Sequence, residues 1–286
     1  MIRKLLFATD FSSRSDIALT RAVELAGRFG AALTLLHVVD DDQPPAEVAA
    51  LTNLAEERLQ SALESLPGAV RAAAEAQIVR GDPFAAIADV ANGRNVDLIV
   101  LGAHRRRILR DIFTGTTAER VIRIAARPVL MVPAPAAGAH KSAVIGVDFS
   151  QASRHAVKTA RALGLLDGPR IALVHGYRDI VGTQMQYVGL EARAIAEQVS
   201  TDVSKLSGRI AGDMPASLLG KEPDAVAVVD ADPCAAIAAQ VGAASADLVI
   251  IGSRGLNALE RVLLGSAADA VLRNIECDIL VVPPAG

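Results

Sequence analysis

The sequence predicts an α/β protein written twice: two tandem, doubly wound domains in which buried parallel strands are flanked by helices. Three observations carry that reading. Short apolar runs of strand length alternate with longer segments whose apolar residues recur at helical spacing. Hydrophobic residues make up 51% of the 286, drawn mainly from Ala, Val, Leu and Ile, with no Trp and 3% aromatics, which suits strands covered on both faces. The order of motifs in the first half then restarts in the second, and a chain of this length gives each half enough residues to bury a core.

Residues 4–9 form an apolar run ending at Asp10, and the turn Phe11-Ser12-Ser13 leads into a helix closed by Gly30. A second strand over 31–39 ends in the acidic turn Asp40, Asp41, Asp42. From 45 to 66 an amphipathic helix is expected, with Val48, Leu51, Leu54, Leu59, Leu63 and Leu66 on its apolar side and Pro67-Gly68 as its stop. A third strand over 74–80 passes through Gly81-Asp82-Pro83 into a helix from Phe84, and 97–101 is the fourth strand. After a glycine-bounded stretch come a helix from Ala118 and a fifth strand over Pro128–Val132. Residues 1–134 are thus the first domain, 135–141 a linker, and 142–286 the second domain.

The repeat is explicit. Asp148 stands to Asp10 as His175 to His37, 138 positions on (148 minus 10; 175 minus 37). Ala231-Asp232-Pro233 follows Gly81-Asp82-Pro83, and the strand at 278–282 follows that at 128–132, 150 positions on. The offset grows by 12 (150 minus 138), so the second half carries an insertion within 177–222, expected on the surface.

The most informative stretch is Gly252 to Ser266, GSRGLNALERVLLGS, between a buried strand and a helix. Such a turn gathers unpaired backbone N–H groups at the positive end of a helix dipole, which suits phosphate. Its first-half copy aligns Gly102 with Gly252, Gly115 with Gly265 and Thr116 with Ser266, but puts Arg105 where Gly255 stands. In doubly wound sheets the ligand lies beyond the carboxyl ends of the strands, where strand order reverses. Asp10 and Asp148 end the first strands, and Gly102 and Gly252 end the fourth, so neighbouring first and fourth strands would bring carboxylate and glycine loop to one crevice.

The TDFS and VDFS turns, the LHV strand end, the GDP turn, the VDLIVLG strand and above all G-x2-G-x9-G-[ST] resemble the universal stress protein family, over essentially the whole chain and in two copies. The resemblance implies a five-stranded parallel sheet in the order 3-2-1-4-5 in each domain, binding of ATP or a related adenine nucleotide (ADP or AMP), and pairing through the last strand. It implies that Asp148 lies at the ribose and adenine end, with the backbone at Gly176 near the base and Gly252, Gly255, Gly265 and Ser266 by the phosphates. The first-copy counterparts are Asp10, Val38, Gly81, Gly102, Gly115 and Thr116. The second copy is the expected nucleotide site, because Arg105 adds a side chain where backbone cradling needs none; the competing reading has Arg105 and its neighbours Arg106, Arg107 and Arg110 bind the anion by charge. Ala231, in place of Gly81, would cost about 1 kcal/mol or narrow the pocket if that position needs positive φ or close approach. By analogy with other phosphate loops, Ser266 could reach a phosphate-bound Mg²⁺.

Plainer readings stand beside these. Asp10, Asp148, Ser12 and Ser150 are ordinary turn and N-cap residues, and His37 and His175 are a matched structural pair. Net charge is −3, and no aromatics interleave the arginines, which argues against nucleic acid as partner. No run approaches the ~18 apolar residues of a membrane helix. Two cysteines, Cys234 and Cys277, have no metal-ligand spacing, which suits a reduced cytoplasmic protein. No P-loop, nucleophile elbow, HExxH or CxxC is present, so the expected role is a non-catalytic sensor or regulator. The alternatives are a scaffold with empty pockets, and a slow ATP-hydrolysing or nucleotidyl-transferring enzyme. The strands at Pro128–Val132 and Asp278–Val282 are expected to pair within one chain as a pseudo-dimer, with further homodimerisation left open.

Overall fold

The computed structural model describes residues 1–103, 116–135, 138–177, 192–255 and 264–285, with the backbone alone for 192–196. The first half runs β1 (Lys4–Thr9), α1 (Ser13–Phe29), β2 (Ala32–Val39), α2 (Pro45–Ser65), α3 (Gly68–Arg71), β3 (Ala74–Arg80), α4 (Pro83–Gly93), β4 (Leu98–Gly102), α5 (Thr117–Ile124) and β5 (Val129–Val132). The second repeats it as β6 (Ser142–Gly146), α6 (Gln151–Ala162), β7 (Arg170–Tyr177), α7 (Ala192–Asp213), α8 (Ala216–Leu219), β8 (Ala225–Asp230), α9 (Pro233–Ala244), β9 (Leu248–Gly252), α10 (Ser266–Asn274) and β10 (Asp278–Val282). The insertion expected in the second half falls between β7 and β8; residues 178–191 lie outside the described residues.

All ten strands form one sheet, ordered β3-β2-β1-β4-β5-β10-β9-β6-β7-β8. Each half therefore reads 3-2-1-4-5 with parallel neighbours, and the halves join through antiparallel pairing of β5 with β10, Leu130 opposite Leu280. A buried apolar layer lies on each face of the sheet and runs without a break from one half into the other.

Local chemistry repeats with the sequence. Ser12 and Ser150 cap α1 and α6 through the N–H groups of Ser15 (3.4 Å) and Ser153 (3.1 Å). Asp82 and Asp232 cap α4 and α9, each followed by proline at the first helical position. Asp97 accepts from the N–H groups of Arg3 (2.7 Å) and Lys4 (2.9 Å), tying the start of β4 to β1; Asp247 does the same with Lys141 and Ser142.

One sequence expectation is corrected. Leu51 and Leu54 of α2 are 45% and 43% exposed, and the buried stripe is Val48, Ala55 and Leu59. The helix covers only the outermost strands β2 and β3, so it needs a narrow stripe, and Leu51 and Leu54 lie beyond its margin on the solvent side. Among the described residues no helix is long and apolar enough to cross a membrane.

Candidate functional site

Strands one and four are neighbours in both halves: β1 pairs with β4, and β6 with β9. Their carboxyl ends open onto a cavity in each domain. The second-domain cavity is ≈ 620 Å³ and is lined by Asp148, His175, Gly176, Gly252, Arg254, Gly255, Gly265 and Ser266 over a floor that includes Val147, Ile237 and Val271. The first-domain cavity is ≈ 180 Å³ and is lined by Asp10, Arg14, His37, Val38, Gly102 and Ala103, with Thr117 and Ala118 at the helix end.

At the carboxylate end, Asp148 Oδ1 accepts from the Ser150 N–H at 3.0 Å, leaving Oδ2 turned to the glycine loop. A Cβ built on Gly255 would lie 2.7 Å from that Oδ2, so glycine there lets carboxylate and loop share the crevice. Asp10 is more heavily engaged: its Oδ1 accepts from the Ser12 N–H (3.0 Å) and from the Ser15 hydroxyl. Burial pushes the Asp10 carboxyl up, but the Ser12 and Ser15 hydrogen bonds outweigh it and hold the carboxyl below its ordinary value.

The residue after each aspartate, Phe11 or Phe149, sits at positive φ (57° and 62°), a strained conformation for a bulky side chain. Each ring touches a histidine and an arginine. Phe11 lies 4.4 Å from His37 with Arg58 5.3 Å from its centroid, and Phe149 lies 4.7 Å from His175 with Arg209 at 4.0 Å. The Nδ1–H of His37 donates to the Thr9 carbonyl (2.8 Å) and that of His175 to the Val147 carbonyl (2.7 Å). Burial pushes His37 below its ordinary value, so it is neutral at pH 7. Both histidines thus tie the second strand of each half to the first.

The base-side turn differs between halves. Gly81 has φ +132°, with nothing within 4 Å of a built Cβ, and it lines neither cavity. Ala231 takes no positive φ, so the strain expected of it does not arise: its N–H donates to the Val229 carbonyl at 2.9 Å, whereas the Gly81 N–H donates to Val39 at 3.0 Å. The rearranged turn presses on β7. A Cβ on Gly176 would meet the Ala231 carbonyl oxygen at 2.9 Å and Pro233 Cα at 3.0 Å. Glycine at 176 therefore answers to the backbone of the Ala231–Pro233 turn, and Val38 stands at the equivalent strand position in the first half.

Gly102 and Gly252 serve helix–strand packing. A Cβ on Gly102 would lie 2.8 Å from the Arg14 carbonyl oxygen, and one on Gly252 would lie 3.3 Å from Ala152. Gly265 N–H donates to the Ser253 carbonyl at 2.9 Å, which fixes the start of α10 against the loop. The helix starts then diverge. Gly265 is the N-cap of α10 and supplies no side-chain cap, and among the described residues no side chain bonds the first turn; Ser266 is the first helical residue. Thr116, by contrast, caps α5 in a full capping box: the Thr116 N–H donates to Glu119 Oε2 at 2.9 Å, and the Glu119 N–H to Thr116 Oγ1 at 3.2 Å. Among the described residues, the second domain leaves the helix-start N–H groups without a side-chain cap where the first already holds a carboxylate. Gly115 and the arginines 105, 106, 107 and 110 lie outside the described residues.

The model described as the universal stress protein family matches residues 1–133 and again residues 140–283. The chain belongs to the universal stress protein family. A universal stress protein of Mycobacterium tuberculosis is 24% identical over 294 residues, covering 95% of this chain and 94% of its own length. Among solved structures, a universal stress protein from Archaeoglobus fulgidus matches with a TM-score of 0.72 at 20% identity, over 99% of this chain and 96% of that one. A functionally unknown protein from Pseudomonas aeruginosa matches at 0.66 and 19%, over 99% and 93%. These two likenesses show the fold.

Two residues of this universal stress protein bear on the site and were not singled out by sequence. Arg254 lines the larger cavity beside the bare helix end and forms no ion pair among the described residues. Its signal was its place inside G-x2-G, where only the glycines drew notice. Glu119 closes the first-domain helix end, and the T-x-x-E spacing that announces it is legible at 116–119.

Proposed function

We propose that this chain binds an adenine nucleotide, ATP or a relative, in the second-domain cavity and acts as a non-catalytic sensor or regulator in the cytoplasm. The observation that carries the reading is the uncapped start of α10. That start, with Gly255, Gly265 and Arg254, lines a cavity of ≈ 620 Å³ that Asp148 also lines, its carboxylate turned to the glycine loop. Phosphates suit the helix end by dipole and hydrogen bond, Arg254 supplies a full positive charge, and Asp148 suits hydroxyl or amino donors of the nucleoside. Ser266, the first residue of α10, is the group that would face a phosphate-bound Mg²⁺. The side chains here hold rather than cleave: Asp148 is tied to the Ser150 N–H, and His175 spends Nδ1 on a carbonyl.

A ligand bound only by the folded form stabilises it, by about 2.7 kcal/mol at a hundred times Kd. Thermal melting with and without ATP is therefore the test. The wild-type melting temperature rises with ATP, and Gly255→Arg, which fills the loop and displaces the Asp148 carboxylate, removes the rise. No rise in the wild type, or an equal rise in the variant, overturns the proposal.

A further inference from the structure

Strands β5 and β10 are copies of one sequence, and each is the edge of its own five-stranded half. Antiparallel pairing centred on Leu130 and Leu280 is as open to two copies of β5, or to two copies of β10, as it is to the observed pair, so far as backbone and apolar side chains decide. A buried polar cluster at one end of the ladder tells these pairings apart.

Arg21 of α1, only 2% exposed, reaches across the join. Its Nε lies 2.7 Å from Asp278 Oδ2 at the start of β10, an ion pair by distance though off the N–H axis. Its Nη1 donates to Glu24 Oε2 (2.7 Å) and to the Gly138 carbonyl (2.6 Å), and the Gly138 N–H returns to Glu24 Oε1 (2.7 Å). His140 Nε2 donates to the same Asp278 oxygen at 2.8 Å; His140 is 4% and Asp278 2% exposed. One domain contributes the arginine and Glu24, the other the aspartate, and the connecting segment stitches them.

The repeat does not build this cluster a second time. Thr159 stands where Arg21 would recur (21 plus 138), Ala162 where Glu24 would (24 plus 138), and Pro128 where Asp278 would (278 minus 150). At that other end the amino terminus merely donates to the Ala162 carbonyl. If β10 paired with β10 of a second copy, each Asp278 would be buried against Thr159 with no cation from the partner. If β5 paired with β5, each Arg21 would be buried against the proline end with Glu24 of its own helix but no carboxylate from the partner. Arg21 would keep Glu24 and Asp278 would keep His140, but each buried charge would lose its partner across the join, and losing one member of a buried pair is far more costly than never having had the pair.

We propose that the Arg21–Asp278 pair, framed by Glu24, Gly138 and His140, selects the partner of the edge strands. It admits β10 to the β5 edge and turns away a second copy's β5 or β10, along with any five-stranded domain lacking an acid at the Asp278 position. The test uses the full chain with Leu130→Cys as reporter, since β5–β5 pairing sets that residue opposite itself in two chains; the same chains without Leu130→Cys control for the native thiols. In the wild-type background the reporter gives no interchain disulfide. In the neutral double variant Arg21→Thr/Asp278→Asn it gives one, and the reporter-free double variant shows a doubled light-scattering mass that grows with concentration. Arg21→Thr and Asp278→Asn singly melt lower than the double variant, because each leaves one buried charge without its partner across the join. The proposal is overturned by crosslinking in the wild-type background, by a double variant that stays uncrosslinked and single in mass, or by a double variant that melts below both singles.

Discussion

Glycine at 102 and glycine at 252 answer the same packing need with different tightness, and the difference is measurable. A Cβ at Gly102 would come within 2.8 Å of backbone in α1, which cannot swing aside, whereas at Gly252 the nearest atoms are 3.2–3.3 Å away. Gly102→Ala is expected to destabilise by roughly 1–3 kcal/mol in a denaturant melt, and Gly252→Ala by less. Asp10 yields a pH prediction. Its folded-state carboxyl is held below 3.8, so its contribution is full above that value and is lost as pH falls through the lower folded one. Asp10→Asn should therefore flatten the acid limb of the stability profile below about pH 3.8 and leave its slope near neutrality unchanged. Sequence made these positions legible as types: an aspartate after a strand, a glycine before a helix. It could not show that Gly176 answers to Ala231 and Pro233, because that coupling exists only where two turns meet in space.

The helices α5 and α10 show how one change of side-chain length alters an element's use. Glu119 reaches back to the Thr116 N–H; its counterpart Asp269 is one methylene shorter and instead pairs with Arg273 at 2.9 Å. Arg273 also lies 3.5 Å from Glu119 Oε1, so it ties the two helices across the join. Glu119→Ala should cost about 0.5–2 kcal/mol through the lost capping box, while Ser266→Ala should be within ±0.5 kcal/mol in the absence of ligand, read from paired urea melts. The pattern T-x-x-E against S-x-x-D lay open in the sequence. What it could not convey is that the cap of α10 moves to Gly265. Leu51 and Leu54 fall outside the buried stripe of α2 for a related reason: helical period fixes which residues share a side, but only the placement of α2 over two outer strands fixes how wide the buried stripe is.

The ten strands make one sheet with a continuous core on each face; the repeat was readable from the two offsets, while strand order and the join through the last strands came from the family resemblance. The cluster that distinguishes the join was not readable from either. Arg21 and Asp278 are 257 positions apart (278 minus 21) and belong to no motif, so nothing short of the fold brings them together. The halves also differ at the proposed nucleotide site, with a large cavity beside the Gly265-capped start of α10 in one and a small cavity beside the capping box of α5 in the other. Titration calorimetry of the intact chain with ATP measures that asymmetry as a stoichiometry. The account predicts one nucleotide per chain, lost in Gly255→Arg and kept in Glu119→Ala. Binding of none, of two equivalent nucleotides, or of one that survives Gly255→Arg would contradict it.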